Sequence, residues 1–342
     1  MIFHCSISLY FLKNQVMKKP GRQKKSSNGY KKRTMGLFLS ILLLDILSGC
    51  ALAPKKLHIK DISGSFKPGA IISSQSGMPV SQETLVADLA GVAIVYVGEK
   101  HNDPANHEIQ LQVIKAIFEL RPNLSIGMEM FDHTYQPVLD LWSEGKLDQE
   151  AFLKNTHWYA NWKFDFDLYR DILNYIRENR IKLVGLNIPF HIPPRIAVGG
   201  IESLREDERK HLPNKIDPSN VEHREYVEKI FNLHHVKGVN DFQNFYMAQC
   251  VWEDAMAESI ALNLKENPMI VLVGNGHMIK KFGVPDRVFA RTRVPFRTVY
   301  PALSGSRVER SYADYIWVTH HIEEQKRGNR MSEKNTAKGM HQ

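Results

Sequence analysis

The first residues that could do chemistry follow an apolar segment close to residue 95. The run Val92–Gly98 is continuous and rich in β-branched residues, which is typical of a strand buried on both faces. Glu99 and His101 follow this run, and His107 comes shortly afterwards. A carboxylate and two imidazoles are suited to general acid–base catalysis or to binding a cation. The core of a strand has no need of them, so this segment predicts a functional site.

Polar residues also lie in or directly after three later apolar segments. Glu129 is part of Leu124–Phe131, Asn187 is part of Ile181–Phe190, and His277 follows a run that ends at Gly274. In open parallel sheets, ligands bind beyond the carboxyl ends of the strands. We therefore expect a single polar pocket on that edge, formed by Glu99, His101, His107, Glu129 and His277.

Each of these residues also has a structural interpretation. A histidine after a strand is often a hydrogen-bonded structural residue, and glycines such as Gly98 and Gly274 are common at strand ends. Glu129 is harder to explain in this way, because an unpaired carboxylate in a buried strand is costly. It needs a cation or a hydrogen-bond donor, and this favours the functional interpretation.

The elements that must position these groups alternate between strands and helices. Ser81–Gly91 has an N-cap serine and a terminal glycine, and Asp103 before Pro104 predicts the start of a second helix. Further helices are predicted over residues 135–155, 166–180 and 240–267, and later strands over 296–303 and 313–319. This alternation predicts an α/β fold with a mainly parallel sheet covered on both faces.

The domain boundaries follow from changes in composition. Residues 50–80 are a polar tether and lead-in, and residues 81–321 form the folded domain with a charged helical insert at about 200–240. Residues 322–342 are polar and rich in Lys and Glu, which predicts a disordered tail. Cys250 is the single cysteine in the folded domain, so no intramolecular disulfide is expected there.

The positive charge of the chain is concentrated at its beginning. The formal net charge is +8, but residues 1–34 hold nine Lys or Arg and no Asp or Glu. Subtracting these nine from 45 basic residues leaves 36 against 37 acidic residues. The rest of the chain is close to neutral, so no nucleic-acid partner is expected. Residues 1–34 are a basic extension or reflect a start codon assigned too early.

Residues 35–49 predict a lipoprotein signal peptide. A basic region precedes an apolar stretch and the small residues of "LSGC", where a lipobox would place the acylated cysteine at Cys50. A plain cleaved signal or an N-terminal anchor helix are the alternatives. Ala51 after the cysteine favours the bacterial outer membrane, with the domain lipid-anchored and facing the periplasm.

Six motifs in order resemble the ChaN family of haem-binding lipoproteins, within the Tiki and erythromycin-esterase-like superfamily. They are "VGEKHNDPANHEIQ", "GMEMFDHTYQPVLD", "LYRDILNYIRENRIKLVGLN", "FYMAQCVWEDAMAESIA", "VLVGNGHM" and "ADYIWVT". The resemblance implies a three-layer α/β/α fold and a homodimer that encloses two haems face to face. It also implies that a tyrosine binds each iron and that histidine and lysine contact the propionates.

The resemblance does not fix which residues play these parts. Tyr135 is the first candidate for the iron ligand, followed by Tyr159 and then Tyr169. Lys100 and His101 are the candidates for the propionate contacts, and His107 and His277 would shape the pocket. The aromatic cluster of residues 157–169 could form a porphyrin-binding surface or simply pack in the core.

Two functions are compatible with the same pocket. In the first, a haem-binding lipoprotein exchanges haem with an outer-membrane receptor. In the second, Glu99, His101, Glu129 and His277 catalyse hydrolysis, either by holding a divalent metal ion or as general acid–base groups. The sequence has no nucleophilic serine elbow and no HExxH spacing. A surface lipoprotein with a vestigial pocket is a third possibility.

Overall fold

The computed structural model describes residues 55–233, 238–239, 241–265 and 267–320. Cys50, the signal peptide and the tail predicted for 322–342 lie outside these residues. The strands are β1 His58–Lys60, β2 Ile71–Ser73, β3 Pro79–Val80, β4 Ile94–Glu99, β5 Ser125–Asp132, β6 Lys182–Asn187, β7 Met269–Gly274, β8 Phe296–Leu303, β9 Arg307–Glu309 and β10 Tyr315–Thr319.

The α-helices lie between the strands from β3 to β8. They are α1 Gln82–Ala90, α2 Pro104–Leu120, α3 Gln136–Ser143, α4 Gln149–Asn155, α5 Trp158–Asn161, α6 Arg170–Glu178, α7 Ile192–Gly199, α8 Glu206–Arg209, α9 Val221–Leu233, α10 Phe242–Asn263 and α11 Val284–Thr292. Short 3-10 helices include His133–Tyr135 after β5 and Asn275–His277 after β7.

The main sheet has eight strands in the order β3-β2-β10-β8-β4-β7-β5-β6. From β10 to β6 all neighbours are parallel, whereas β2 pairs antiparallel with β10 and β3. In β7, alternate residues face two separate cores: Val271 and Val273 belong to one, and Ile270 and Leu272 to the other. Helices cover both faces, so the α/β prediction is confirmed.

The helix starts near the predicted pocket have the expected caps. The Ser81 hydroxyl accepts from Thr84 N–H, and the Asp103 carboxylate accepts from Ala105 N–H. The helix predicted over 135–155 is instead two helices, α3 and α4. Gly145 lies between them with a φ of +64°, a conformation that only glycine adopts readily, and this ends α3.

Two further predictions concern the charged insert and the single cysteine of the folded domain. The described residues 200–233 of the predicted insert contain α8 and α9 with connecting loops, and Cys250 is a buried free thiol in α10. No helix within the described ranges is both long and apolar enough to span a membrane.

Candidate functional site

Three neighbouring parallel strands bring the predicted residues to one edge of the sheet. Glu99 is the last residue of β4 and is paired with Gly274, the last residue of β7. Glu129 lies on β5, where the pairing with β6 becomes irregular between Met128 and Asp132. Asn187, at the end of β6, donates its side-chain N–H to the Glu129 carbonyl at 3.0 Å. Irregular strand ends of this kind commonly aim side chains into active sites.

Glu129 lies between two imidazoles. Its Oε1 is 4.0 Å from His101 Nε2 and 3.6 Å from His277 Nε2. Its Oε2 accepts the Gly274 backbone N–H at 2.6 Å. The side chain is fully buried, and Oε1 has no hydrogen-bond partner among the described residues. The unpartnered Oε1 of Glu129 therefore faces the Nε2 atoms of His101 and His277 and is available to a ligand or a proton.

Glu99 orients His101 from the other side of its ring. Glu99 Oε1 lies 2.7 Å from His101 Nδ1 and accepts the Tyr169 hydroxyl at 2.6 Å, and Gln110 donates to Oε2 at 2.8 Å. Burial alone would raise the pKa of Glu99, but the charges of His107 and His101 and the hydrogen bonds from His101 and Tyr169 lower it to about 2. The carboxylate therefore stays ionised in a buried position.

His277 has a matching carboxylate, Glu253 on α10. Glu253 Oε1 lies 3.3 Å from His277 Nδ1, and Gln249 donates to the same oxygen at 2.6 Å. Burial would raise the pKa of Glu253, but His223, His277 and Arg287 hold it well below the usual range. Sequence reasoning missed this residue; the available signal was the pair Glu253-Asp254 within a helical segment that is otherwise mostly apolar.

Both central imidazoles are held among carboxylates. Burial would lower the pKa of His101, but its hydrogen bond to Glu99 and the charge of Glu129 raise it. Burial would likewise lower the pKa of His277, and Glu129 and Glu253 raise it. The protonated form of each ring is therefore favoured; Nδ1 is hydrogen-bonded to an outer carboxylate, and Nε2 faces the unpartnered Oε1 of Glu129.

Aromatic rings line the same centre. The ring of His101 lies 4.9 Å from Trp162 and 5.0 Å from Phe164, and the ring of His277 lies 5.0 Å from Trp252. Apolar surroundings of this kind strengthen the electrostatic interactions of the groups they enclose.

The tyrosines proposed as iron ligands are in three different settings. Tyr135 follows β5 and is half-buried, and its hydroxyl oxygen accepts the Asn161 side-chain N–H at 2.9 Å. Tyr159 on α5 is 57% exposed. Tyr169 is fully buried, and burial together with Glu99 raises its pKa well above the usual value.

The residues proposed for the propionate contacts and for the pocket differ in their exposure to solvent. Lys100 is exposed, on the loop between β4 and α2. His101, His107 and His277 are buried. His107 Nδ1 lies 3.5 Å from Glu99 Oε2, and its Nε2 is 3.2 Å from the His101 carbonyl oxygen. The structure thus brings Glu99, His101, His107, Glu129 and His277 together and leaves Lys100, Tyr135 and Tyr159 closer to the surface.

The centre can move protons. The buried carboxylate can accept a proton from a bound water or hydroxyl group, and a protonated imidazole can donate one to a leaving group. Within the part of the chain that is described, no group of three or more His, Cys, Asp or Glu residues has the geometry of a metal site.

Comparison with known protein families shows which family this chain belongs to. The model of the family described as "Haem-binding uptake, Tiki superfamily, ChaN" matches residues 85–288, which span β4 to β7 and all the residues of the centre. The chain belongs to the ChaN family. The resemblance noted in the sequence is thus confirmed, and haem binding is supported at the level of the family.

Individual relatives of this ChaN-family chain are distant. ChaN of Campylobacter jejuni, whose structure shows cofacial haem binding, aligns with a TM-score of 0.59 at 18% identity, over 72% of this chain and 95% of its own. Erythromycin esterase EreC aligns over 69% of this chain and 78% of its own, at 14% identity and a TM-score of 0.42. Protein RETICULATA-RELATED 5, chloroplastic, of Arabidopsis thaliana is 29% identical over 131 residues, 36% of this chain and 17% of that protein.

Proposed function

We propose that this ChaN-family chain is a haem-binding lipoprotein that acts in haem or iron uptake. In this proposal it is anchored through Cys50 to the outer membrane, faces the periplasm, dimerises around haem and exchanges it with an outer-membrane receptor. Family membership supports haem as the ligand. The anchor is supported by the signal sequence and lipobox, and the dimer by the resemblance alone.

The residues present fit a haem held by tyrosine. One helix, α5, carries the exposed Tyr159 and also Asn161, which donates to the Tyr135 hydroxyl oxygen. A hydrogen bond donated to this oxygen is compatible with an iron-bound phenolate, the form in which tyrosine binds ferric haem. This positioned and partly exposed Tyr135 is the observation that carries the proposal.

The charged groups divide between the interior and the surface. Lys100 is exposed and can reach a haem propionate, whereas His101 and His277 are directed at buried carboxylates. In this arrangement the buried histidines form the floor of the pocket, and Lys100 supplies the positive charge for an anionic ligand.

Haemin titration with absorption spectra tests the proposal. We expect a saturable Soret shift and a phenolate charge-transfer band that is lost in Tyr135→Phe and kept in Tyr159→Phe. Loss of the band in Tyr159→Phe alone would move the ligand to Tyr159. A protein that gives no saturable shift with haemin would refute haem binding by this chain.

A second candidate function is acid–base hydrolysis, and the unpartnered Oε1 of Glu129 favours it. A buried carboxylate oxygen with imidazole nitrogens at 3.6 and 4.0 Å is unusual unless a water or substrate group completes the site. Glu129 would then take a proton from the attacking water, and a protonated His101 or His277 would give one to the leaving group.

Hydrolysis of a p-nitrophenyl ester, with metal analysis of the same protein, tests this second function. Activity that is lost in Glu129→Gln and kept in His157→Gln, a change at an exposed histidine, would establish it. A stoichiometric ion lost in Glu129→Gln would add a metal to the centre. Wild-type protein with no activity above background would remove the candidate.

A further inference from the structure

Glu253 lies behind the centre and is completely buried on α10. Its Oε1 lies 3.3 Å from His277 Nδ1, while Nε2 of the same ring lies 3.6 Å from Glu129 Oε1. The imidazole of His277 thus lies between two carboxylates, one from a helix and one from a strand. The hydrogen bond at Nδ1 orients the ring, so that Nε2 faces the unpartnered oxygen of Glu129.

Glu253 is itself held by three further side chains. Gln249 donates to Oε1 at 2.6 Å, and Arg287 Nε donates to Oε2 at 3.3 Å. His223 Nε2 lies 3.2 Å from the same Oε2. These contacts come from α10, α11 and α9, so three helices fix the position of one carboxylate.

The guanidinium of Arg287 is anchored in turn. Its Nη1 donates to Asp254 at 2.6 Å and to the Asp217 carbonyl at 2.7 Å. Asp254 also accepts from Arg291 at 2.7 Å. Glu253 is therefore part of a connected network of hydrogen bonds and ion pairs and is not an isolated buried charge.

The backbone next to His277 is shaped to admit this carboxylate. Gly283 has a φ of +69°, and a side chain there would place Cβ 2.7 Å from Glu253 Oε1 and 2.6 Å from the His277 carbonyl oxygen. Only glycine fits this position without displacing one of the two. The close approach of Glu253 to the loop of His277 is therefore built into the chain.

The same arrangement occurs on the other side of Glu129. His101 Nδ1 lies 2.7 Å from Glu99, and its Nε2 also faces Glu129 Oε1. Gln110 donates to Oε2 of Glu99, whereas Gln249 donates to Oε1 of Glu253, and Gln249 Nε2 also lies 3.1 Å from His277 Nδ1. A carboxylate, an imidazole and a supporting glutamine thus occur twice around one central glutamate.

We propose that Glu253 is the positioning residue of His277, and that the centre consists of two carboxylate–imidazole dyads, Glu99–His101 and Glu253–His277, which share Glu129. The bond from Nδ1–H to the outer carboxylate fixes the proton on Nδ1, so Nε2 is the nitrogen that exchanges a proton with a ligand. The orientation does not depend on which function the centre serves. The expected effect of this orientation on a reaction rate, however, rests on the hydrolysis proposed above.

NMR of the imidazole N–H groups in the full chain tests the proposal. A buried N–H donated to a carboxylate gives a slowly exchanging downfield proton signal, and His101→Gln, His223→Gln and His277→Gln assign these signals. We expect Glu253→Gln to remove the His277 Nδ1–H signal and keep that of His101, and Glu99→Gln to do the reverse. Loss of neither signal, or of both in each variant, would overturn the proposal.

The wild-type protein keeps the proposal testable if Glu253→Gln does not fold. Its ¹⁵N shifts report which ring nitrogen of His277 carries a proton, and Nδ1 must be protonated. A ring protonated at Nε2 alone, or one that averages between the two forms, contradicts the proposal. Glu253→Asp should partly restore the signal if the carboxylate itself is responsible.

Ester hydrolysis separates this inference from the second candidate function. If p-nitrophenyl acetate is hydrolysed, Glu253→Gln should lower the rate at least about 10-fold, because losing the carboxylate that orients a catalytic histidine costs up to about 10⁴-fold. Haemin binding through Tyr135 should be retained. If the wild-type protein hydrolyses nothing, the N–H signals still decide the role of Glu253, and only the function fails.

Discussion

Gly274 donates its backbone N–H to Glu129 Oε2 at 2.6 Å, and this bond joins the ends of β7 and β5. A side chain at Gly274 would place Cβ 2.9 Å from His101 Cε1 and 3.4 Å from Glu129 Oε2. The missing side chain therefore leaves the space in which the imidazole and the carboxylate approach each other. Gly276, two residues later, has no atom within 4 Å of such a Cβ.

These two glycines give a matched pair of variants. Gly274→Ala should push the His101 ring out of place and lower the free energy of unfolding by about 1–3 kcal/mol, the usual cost of overpacking. Gly276→Ala should stay within about 0.5 kcal/mol of the wild type. Urea unfolding measures both, and equal effects would show that Gly274 has no special role in packing the centre.

The lowered pKa of Glu99 predicts a loss of stability in acid. Its pKa is about 2 in the folded chain against 4.5 for an ordinary glutamate. The stability it contributes is thus present above pH 4.5 and lost as the pH falls towards 2, about 3 kcal/mol in all. Unfolding free energies measured across this range should vary less with pH in Glu99→Gln. Glu108→Gln, at an exposed position of α2, should keep the wild-type dependence.

The raised pKa values of His101 and His277 predict the opposite dependence in alkali. A group with a raised folded pKa stabilises the fold fully below its unfolded pKa, about 6.5, and loses this contribution as the pH rises through the folded value. The free energy of unfolding should therefore fall from pH 6.5 upwards, and fall less steeply in His277→Gln. A stability that is constant or rises over this range would contradict the inferred charge state.

Glu129→Gln should stabilise the protein at high pH. When the imidazoles are neutral, Glu129 is a buried charge with one unpartnered oxygen, which is costly. An amide of the same shape removes that charge, and we expect a gain of about 1 kcal/mol at pH 9 that shrinks or reverses at pH 6. Chemical denaturation at the two pH values measures this. A variant that is less stable than wild type at pH 9 would show that Glu129 is already compensated.

The convergence of Glu99, Glu129 and His277 could be predicted from the sequence, because the carboxyl ends of parallel strands share one edge of a sheet. The apolar runs identified the strands, and the cap at Asp103 identified the helix that follows the first of them. The position of these residues therefore needed no knowledge of the tertiary packing beyond the order of strands and helices.

The role of Glu253 could not be predicted in the same way. Which side of α10 faces the sheet depends on packing against α7 and α11, and buried residues surround this helix on several sides. The break at Gly145 was missed for a different reason. The helical pattern continues on both sides of it, and one glycine within such a pattern is often tolerated.

Because both dyads depend on Glu129, the parts of the centre do not act as independent groups. Withdrawing one proton or one side chain alters the charge that every other member experiences, so the effects of single substitutions are not expected to sum. The same dependence constrains how the protein can diverge. In a relative that lacks Glu129, the two outer carboxylates would no longer orient groups around a shared centre. We therefore expect the five residues of the centre to be retained together or substituted together: Glu99, His101, Glu129, Glu253 and His277.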